Sequence, residues 1–259
     1  MKKITFLLLI LLSNTLTAQN HEKLWVDVIE NENLGRIKTA NRKVEIIYKA
    51  AKASNNEVEI IKCFFYKSKY LQILDENAQL KIILNLKNEI KTASTPSQSI
   101  LNYVYAKCLK DYIKNNGNKL YKRTKLENGA DGNFLTWDSY TFNTKIDDLF
   151  DLSIKNENNL KSISLDKYES IFDFIDNTDS KKQSLFDYLV KECIEHYKSK
   201  DNYIYLNDKD KYQDLLGTDS EFLKTNIDSI NKVNLVKTLN LFKKISNNID
   251  DNLTLNRIE

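Results

Sequence analysis

The residues best suited to chemistry in this 259-residue sequence are the thiol and imidazole of the segment Cys193-Ile194-Glu195-His196. Residues three apart on a helix share a face, so Cys193 and His196 could form a thiolate pair or supply two metal ligands. Nothing elsewhere completes either arrangement, because the other histidine, His21, lies near the N-terminus and Cys193 falls on an apolar helical stripe. We predict that Cys193 is a core residue with His196 at the core's rim.

Short acidic segments are the next candidates for a site. Asp131-Gly132-Asn133 and Asp208-Lys209-Asp210 begin like calcium loops, but neither completes the twelve-residue pattern with its closing glutamate. Adjacent acids such as Asp147-Asp148 are expected among 36 acidic residues, and no pair stands out as a general acid and base. We predict solvated turns and assign no catalytic, cofactor-binding or metal-binding residue.

Glycine and proline are scarce, with five and one in the whole sequence. This number excludes glycine-rich phosphate loops and is too small for the turns of a β-sandwich or barrel. The sequence therefore predicts an all-α fold.

The N-terminus has the pattern of a secretory signal peptide over residues 1–18. Lys2 and Lys3 precede the apolar run Ile4 to Leu12, and we predict cleavage after Ala18. Removal lowers the basic count from 39 to 37 against 36 acids, so the formal charge falls from +3 to +1. The remaining charges are interleaved, which argues against nucleic-acid binding, and no later apolar stretch is long enough to span a membrane. We expect an exported protein, periplasmic or associated with the outer membrane.

Helical periodicity organises the first block, residues 21–116. A helix from Leu24 should end near Gly35, which can adopt the left-handed conformation. A second helix follows, with the stripe Ile37, Ala40, Val44, Ile47, Tyr48 and Ala51. Two more are predicted over Val58–Leu74 and Leu80–Ile90, with inward residues Ile60, Ile61, Phe64, Phe65, Leu71, Ile83, Leu84 and Leu86. The turn between them is Asp75-Glu76-Asn77.

Pro96 should open the fifth helix, which is predicted to end at Asn115-Asn116-Gly117. Residues 117–141 then form one long irregular loop, held to the helices by Phe134 and Trp137.

The second block, residues 142–259, resumes the helical pattern. Helical stripes begin at Phe142 and at Phe186, a short helix is predicted around Leu165–Ile175, and a last helix runs from Leu235 to Ile249. Residues 202–216 lack periodicity, and the aromatic segment Tyr203-Ile204-Tyr205-Leu206 there either lines the core or forms a partner surface. Successive helical hairpins of roughly 35–40 residues each indicate a degenerate tetratricopeptide-like α-solenoid over residues 19–259.

The three cysteines, Cys63, Cys108 and Cys193, all lie at apolar helical positions. We interpret them as buried thiols that pack as small hydrophobic side chains, and one disulfide with one free thiol is the alternative.

The order of several short segments resembles the N-terminal helical region of the large alpha-2-macroglobulin-like proteins exported by Gram-negative bacteria. The segments are Leu24-Trp25 with Gly35 and Ala40; Ile47-Tyr48 with Ala50-Ala51-Lys52; Glu89-Ile90-Lys91-Thr92-Ala93 with Pro96 and Ile100-Leu101; Tyr121-Lys122-Arg123-Thr124; Thr136-Trp137-Asp138; Ser184-Leu185-Phe186-Asp187-Tyr188-Leu189; and Leu255-Asn256-Arg257-Ile258-Glu259. One departure is Gln183-Ser184, where the family usually has Arg-Pro.

The resemblance implies a docking segment of a protease-trapping protein, without the family's bait region or thioester. Cys193-Ile194-Glu195-His196 lacks the glutamine of the thioester motif, so no reactive residue is carried over. The leading hypothesis is a non-enzymatic exported domain that binds a neighbouring domain or an extended peptide. The alternatives are a small exported enzyme with an acidic helical cleft, and a stand-alone secreted or immunity-type binder.

Overall fold

The computed structural model describes residues 22–120, 122–123, 134–172, 183–200, 218–227, 230 and 233–246. Within these ranges every regular element is a helix, and the one β feature is an isolated antiparallel bridge between Ser164 and Ser184. The all-α prediction is confirmed. Over the same ranges, no helix has the length and apolarity that crossing a membrane requires. The signal peptide, both acidic turns and the segment Tyr203-Ile204-Tyr205-Leu206 lie outside the described residues.

The described residues fall into two compact units. One lies within Met1–Leu149 and Lys167–Asp176, and the other within Phe150–Asp166 and Asn177–Glu259.

The first unit begins with α1, residues 22–33, and α2, Ile37–Ala53. Gly35 joins them with φ of 70°, the left-handed conformation that glycine adopts at no steric cost. The amide of Arg36 donates to the carbonyl of Asn31 at 2.8 Å and satisfies one of the last carbonyls of α1. The predicted role of Gly35 is confirmed. Both helices contribute to one apolar core, made of Val28, Ala40, Val44, Ile47, Cys63 and Tyr70.

The second hairpin consists of α3, Glu57–Leu74, and α4, Ala78–Thr92. The side chain of Asn56 accepts a hydrogen bond from the amide of Glu59 and caps α3. The turn between them coincides with the predicted Asp75-Glu76-Asn77. One inward residue of α4 was wrongly predicted, because Leu84 is 44% exposed and Ile82 is buried instead. Residues 82–84 are all apolar, so the sequence alone did not fix the rotation of this helix.

The fifth helix, α5, spans Thr95–Leu120, with Pro96 in its first turn as predicted. Its predicted end at Asn115-Asn116-Gly117 is wrong, since the helix continues through Gly117. A glycine inside a helix costs about 1 kcal/mol, and burial of Leu120 in the last turn offsets that cost. The predicted loop over residues 117–141 is therefore too long at both ends. The 3₁₀ helix Phe134–Thr136 precedes α6, Ser139–Ser153, whose third residue, Thr141, donates its amide to the capping carboxylate of Asp138 at 2.7 Å.

Four aromatic side chains hold the segment before α6 to the first unit. Phe134 and Trp137 are buried, and the ring of Phe142 lies 5.2 Å from that of Trp137 and 5.6 Å from that of Tyr112. The guanidinium of Arg123 donates to the carbonyl of Trp137 at 2.8 Å. This packing confirms the predicted role of Phe134 and Trp137.

The second unit contains the end of α6, then α7 (Glu157–Lys161), α8 (Leu185–Lys198), α9 (Asp219–Lys224) and α10 (Val233–Ser246), with α8 packed on α10. Ser184 with Asp187 forms a capping box at the start of α8, and Thr218 with Glu221 forms another at α9. The short helix predicted around Leu165–Ile175 is present only as a 3₁₀ helix over Leu165–Tyr168, and turns follow it up to residue 172. Ile249 lies outside the described residues.

Candidate functional site

The densest group of potentially reactive residues in the sequence is part of the core of the second unit. Cys193 is buried, its thiol donates to the carbonyl of Phe150 at 3.5 Å, and burial raises its pKa to about 12. His196 is also buried, at 5% exposure, because its ring stacks on Phe150 with 4.1 Å between centroids. The prediction for Cys193 is confirmed, whereas placing His196 at the rim was wrong. A thiol so far from ionisation is a packing group and not a nucleophile.

The other two cysteines are likewise held as thiols. All three are free in this structure, with Cys63 buried and Cys108 half-buried. Burial raises the pKa of Cys63 to about 12 and that of Cys108 to about 11. The arrangement corresponds to the packing interpretation and not to a disulfide.

Metal ligation has no candidate in the described ranges, where no cluster of three or more His, Cys, Asp or Glu residues could hold an ion.

A polar cluster of the second unit brings together an acid, a phenol and an amine. The hydroxyl of Tyr197 donates to Asp151 at 2.6 Å, and the ammonium of Lys237 lies 3.0 Å from the other oxygen of Asp151. Lys237 also lies 3.1 Å from the phenol oxygen of Tyr197. Each of the three groups has hydrogen-bond partners within the cluster. The cluster is therefore a structural network that connects α6, α8 and α10.

A groove in the first unit has a different character. It is a cavity of about 340 Å³ between α2, α3 and α4. Its walls and floor are formed by Asn41, Tyr48, Phe64, Lys67, Ser68, Leu71, Leu74, Asn85, Asn88 and Glu89. The floor runs from Phe64 to Leu74, ten residues of helix, or about 15 Å. An extended chain of four or five residues has the same length at about 3.3 Å per residue.

One end of the groove is fixed by a hydrogen-bonded network. The hydroxyl of Tyr48 donates to Glu89 at 2.6 Å, and the ammonium of Lys52 pairs with the other carboxylate oxygen. Burial, followed by the neighbouring Glu89 carboxylate, raises the pKa of Tyr48 well above its ordinary range. Glu89 is almost fully buried, and its two partners satisfy both of its oxygens. This end of the groove is a preorganised wall.

Lys67 of α3 lies beside this wall. Its ammonium is 2.6 Å from the carboxylate of Glu45 and 4.2 Å from the centre of the Tyr48 ring. The charge of Lys67 is therefore balanced within the protein.

The remaining polar lining consists of Ser68 and three carboxamides. Asn85 and Asn88 are exposed and Asn41 is half-buried, and none of the three side chains forms a hydrogen bond with the described residues. A carboxamide can donate and accept at once, as a peptide group does. Below them, Phe64 is buried, Leu71 is half-buried and Leu74 is 42% exposed. The groove thus offers peptide-like hydrogen-bonding groups above an apolar floor.

These asparagines were not predicted as site residues from the sequence. The signal that could have found them is Asn85 with Asn88, two residues of modest helix propensity at i and i+3 in the middle of a helix.

A second, more apolar surface lies between α1 and α3, around a cavity of about 570 Å³. Trp25 and Tyr66 pack there at 4.7 Å, and Val26 is 64% exposed. The indole of Trp25 donates to Glu59, and the ammonium of Lys62 lies 4.3 Å from its ring centre. Glu30 and Asn33 also line this surface, but the exposed apolar side chains of Val26, Ile29 and Leu34 dominate it.

Comparison of the chain with protein-family models, with curated proteins and with solved structures finds no match. The resemblance to the N-terminal region of alpha-2-macroglobulin-like proteins stays a prediction.

Proposed function

We propose that this protein is an exported, non-enzymatic interaction domain that binds an extended polypeptide segment in the groove between α2, α3 and α4. The observation that carries the proposal is the set of three carboxamides, Asn41, Asn85 and Asn88, which have no hydrogen-bond partner among the described residues and stand above an apolar floor.

The groove suits a polypeptide main chain. An extended main chain presents one N–H and one C=O per residue, and each carboxamide can pair with both. Desolvating those groups without partners is costly, so a groove that supplies partners favours a main chain over a purely apolar ligand.

The floor suits an apolar side chain. Leu74 is the most exposed apolar residue of the floor, and covering it with Leu71 would remove apolar surface from water. The Tyr48–Glu89–Lys52 network already fixes the wall, so little ordering of the protein would oppose binding.

The lining also favours binding over catalysis. Its two ionisable groups besides Tyr48 are Lys67 and Glu89, and both are engaged in ion pairs. No two free carboxylates face each other in this groove, so it offers no support for the acidic-cleft enzyme considered from the sequence.

The arrangement of the first unit supports a tetratricopeptide-like array as the architecture. The pairs α1–α2 and α3–α4 are consecutive hairpins, and α5 packs on α3 and α4 as the first helix of a next hairpin would. Together with the predicted signal peptide, this supports a docking segment of an exported protein, as the alpha-2-macroglobulin-like resemblance implies. The partner is then a neighbouring domain or an extended peptide.

The experiment is a selection of displayed random peptides of about ten residues on the purified protein, followed by binding measurements with the selected peptides. The double variant Asn85→Leu/Asn88→Leu removes two carboxamides, and Asn240→Leu, an exposed asparagine of α10, is the matched control. We expect the double variant to lose at least about tenfold in affinity and the control to lose none. Selection of no peptide, or equal affinity for both variants with folding shown by circular dichroism, contradicts the proposal.

A further inference from the structure

We infer that the segment bound in this groove is acidic, with carboxylates on the side that faces α2; this inference rests on the proposed function. One face of α2 carries a stripe of residues at i, i+4, i+7, i+11 and i+14. The stripe consists of Lys38, Arg42, Glu45, Lys49 and Lys52.

The stripe borders the groove. Glu45 pairs with Lys67 and Lys52 pairs with Glu89, and both of these partners line the cavity. Arg42 and Lys49 lie on the same helix face as Glu45, at three residues before it and four residues after it.

The carboxylates around the groove are already neutralised, whereas three cations are not. Glu45 and Glu89 have lysine partners, but Lys38, Arg42 and Lys49 are exposed and have no ion-pair partner among the described residues. The rim on the α2 side therefore carries excess positive charge that an anionic partner would complement.

The spacing of these cations matches an extended chain. Lys38 and Arg42 lie four residues apart, about 6 Å along the helix, and side chains on one side of an extended chain repeat every 6 to 7 Å. Lys49 lies about 10 Å beyond Arg42. Acidic side chains at alternate positions would thus face the rim, while the intervening apolar ones face Leu71 and Leu74.

The groove favours an acidic polypeptide over a nucleic acid. Sequence-tolerant nucleic-acid sites combine cations with aromatic faces open for base stacking. Here the Tyr48 ring is covered by Lys67 at 4.2 Å, and Phe64 is buried in the floor. The carboxamides, in contrast, match a peptide main chain.

The test uses three labelled peptides of about ten residues that share apolar residues at alternate positions and carry glutamate, glutamine or lysine between them. Binding to the full chain is measured by fluorescence anisotropy at low salt and at about 0.3 M NaCl. We expect the glutamate peptide to bind about tenfold more tightly than the glutamine peptide at low salt, with the advantage falling at high salt.

Two charge-reversal variants test whether the cations of α2 cause the preference for the glutamate peptide. Lys38→Glu/Lys49→Glu should lose the preference for the glutamate peptide and keep the affinity for the glutamine peptide, whereas Lys114→Glu/Lys119→Glu on α5 should keep both. Equal binding of the glutamate and glutamine peptides overturns the acidic specificity but leaves the peptide groove. Binding of no peptide overturns the proposed function itself. A single-stranded oligonucleotide of similar length that binds as tightly, and is lost in Lys38→Glu/Lys49→Glu, overturns the inference in favour of nucleic acid.

Discussion

The hydroxyl of Tyr48 donates a 2.6 Å hydrogen bond to the carboxylate of Glu89, and so joins α2 to α4 across 41 positions of sequence. Lys52, one turn further along α2, pairs with the same carboxylate. These contacts connect two helices that are not neighbours in the chain and fix one wall of the groove. We therefore expect the stability of this network to affect the proposed binding in the groove.

Replacing Tyr48 with phenylalanine should destabilise the first unit by about 1–2 kcal/mol, because a hydrogen bond to a nearly buried carboxylate is lost while Lys52 remains. Urea unfolding measures the effect. Tyr112→Phe is the matched control, since its ring is packed on Phe142 but its hydroxyl forms no hydrogen bond with the described residues. Equal stability of the two variants would show that the Tyr48–Glu89 bond contributes nothing.

Replacing Phe142 with alanine should cost about 3–5 kcal/mol, since the side chain is fully buried among Phe134, Trp137 and Tyr112. Leu152→Ala on the same helix is 39% exposed and should cost less than about 1 kcal/mol. Thermal or urea unfolding distinguishes the two. A small loss for Phe142→Ala would mean that the aromatic cluster does not hold the segment before α6.

Glu157 should make the second unit sensitive to acid. Its hydrogen bond with Lys161, together with that from Lys244, lowers its pKa below the ordinary value of 4.5 despite partial burial. A lowered folded-state pKa means that the stabilisation is complete above about pH 4.5 and is lost as the pH falls through the folded-state value.

The variant Glu157→Gln should therefore be less stable than the natural protein near neutral pH, and the difference should shrink progressively below pH 4.5. Urea unfolding across that pH range measures it. The control is Glu195→Gln, whose carboxylate lies 3.5 Å from Lys198 in a more exposed pair that stabilises little. A difference for Glu157→Gln that stays constant down to about pH 3 would contradict the assignment.

The three thiols should be almost unreactive in the folded protein. A pKa of about 12 instead of 9.0 leaves Cys193 with about a thousandfold less thiolate near pH 8, and burial blocks access as well. Titration with a chromogenic disulfide should label Cys108 first and Cys63 and Cys193 only slowly, because Cys108 is half-buried. In concentrated urea all three should react together. Rapid labelling of Cys193 in the folded protein would show that its site is open.

Much of the fold could be predicted because local chemistry determines it. Gly35 is at the left-handed position that ends α1, and Pro96 is in the first turn of α5, where its missing N–H costs nothing. The end of α5 was wrongly predicted at Gly117, because the burial of Leu120 outweighs the low helix propensity of glycine. Such tertiary packing cannot be read from the helical periodicity of the sequence. His196 could have been placed correctly, since it shares a helix face with the buried residues Leu189 and Cys193.

The groove could not be predicted in the same way. Asn41, Asn85 and Asn88 belong to two helices separated by α3, and they face one cavity only after α2, α3 and α4 have packed. The Tyr48–Glu89 contact likewise depends on that packing and leaves no pattern in the sequence. The sequence does show which residues each of these helices contains, including the cationic stripe of α2.

The most direct test of the account is amide hydrogen exchange of the protein with and without the glutamate peptide. We predict slower exchange on binding in residues 41–52 of α2, 64–74 of α3 and 85–89 of α4, with no change in α8 and α10, and much weaker protection in Asn85→Leu/Asn88→Leu at the same peptide concentration. Protection confined to α8 and α10, or the same protection in the double variant, would contradict a peptide-binding groove at this place.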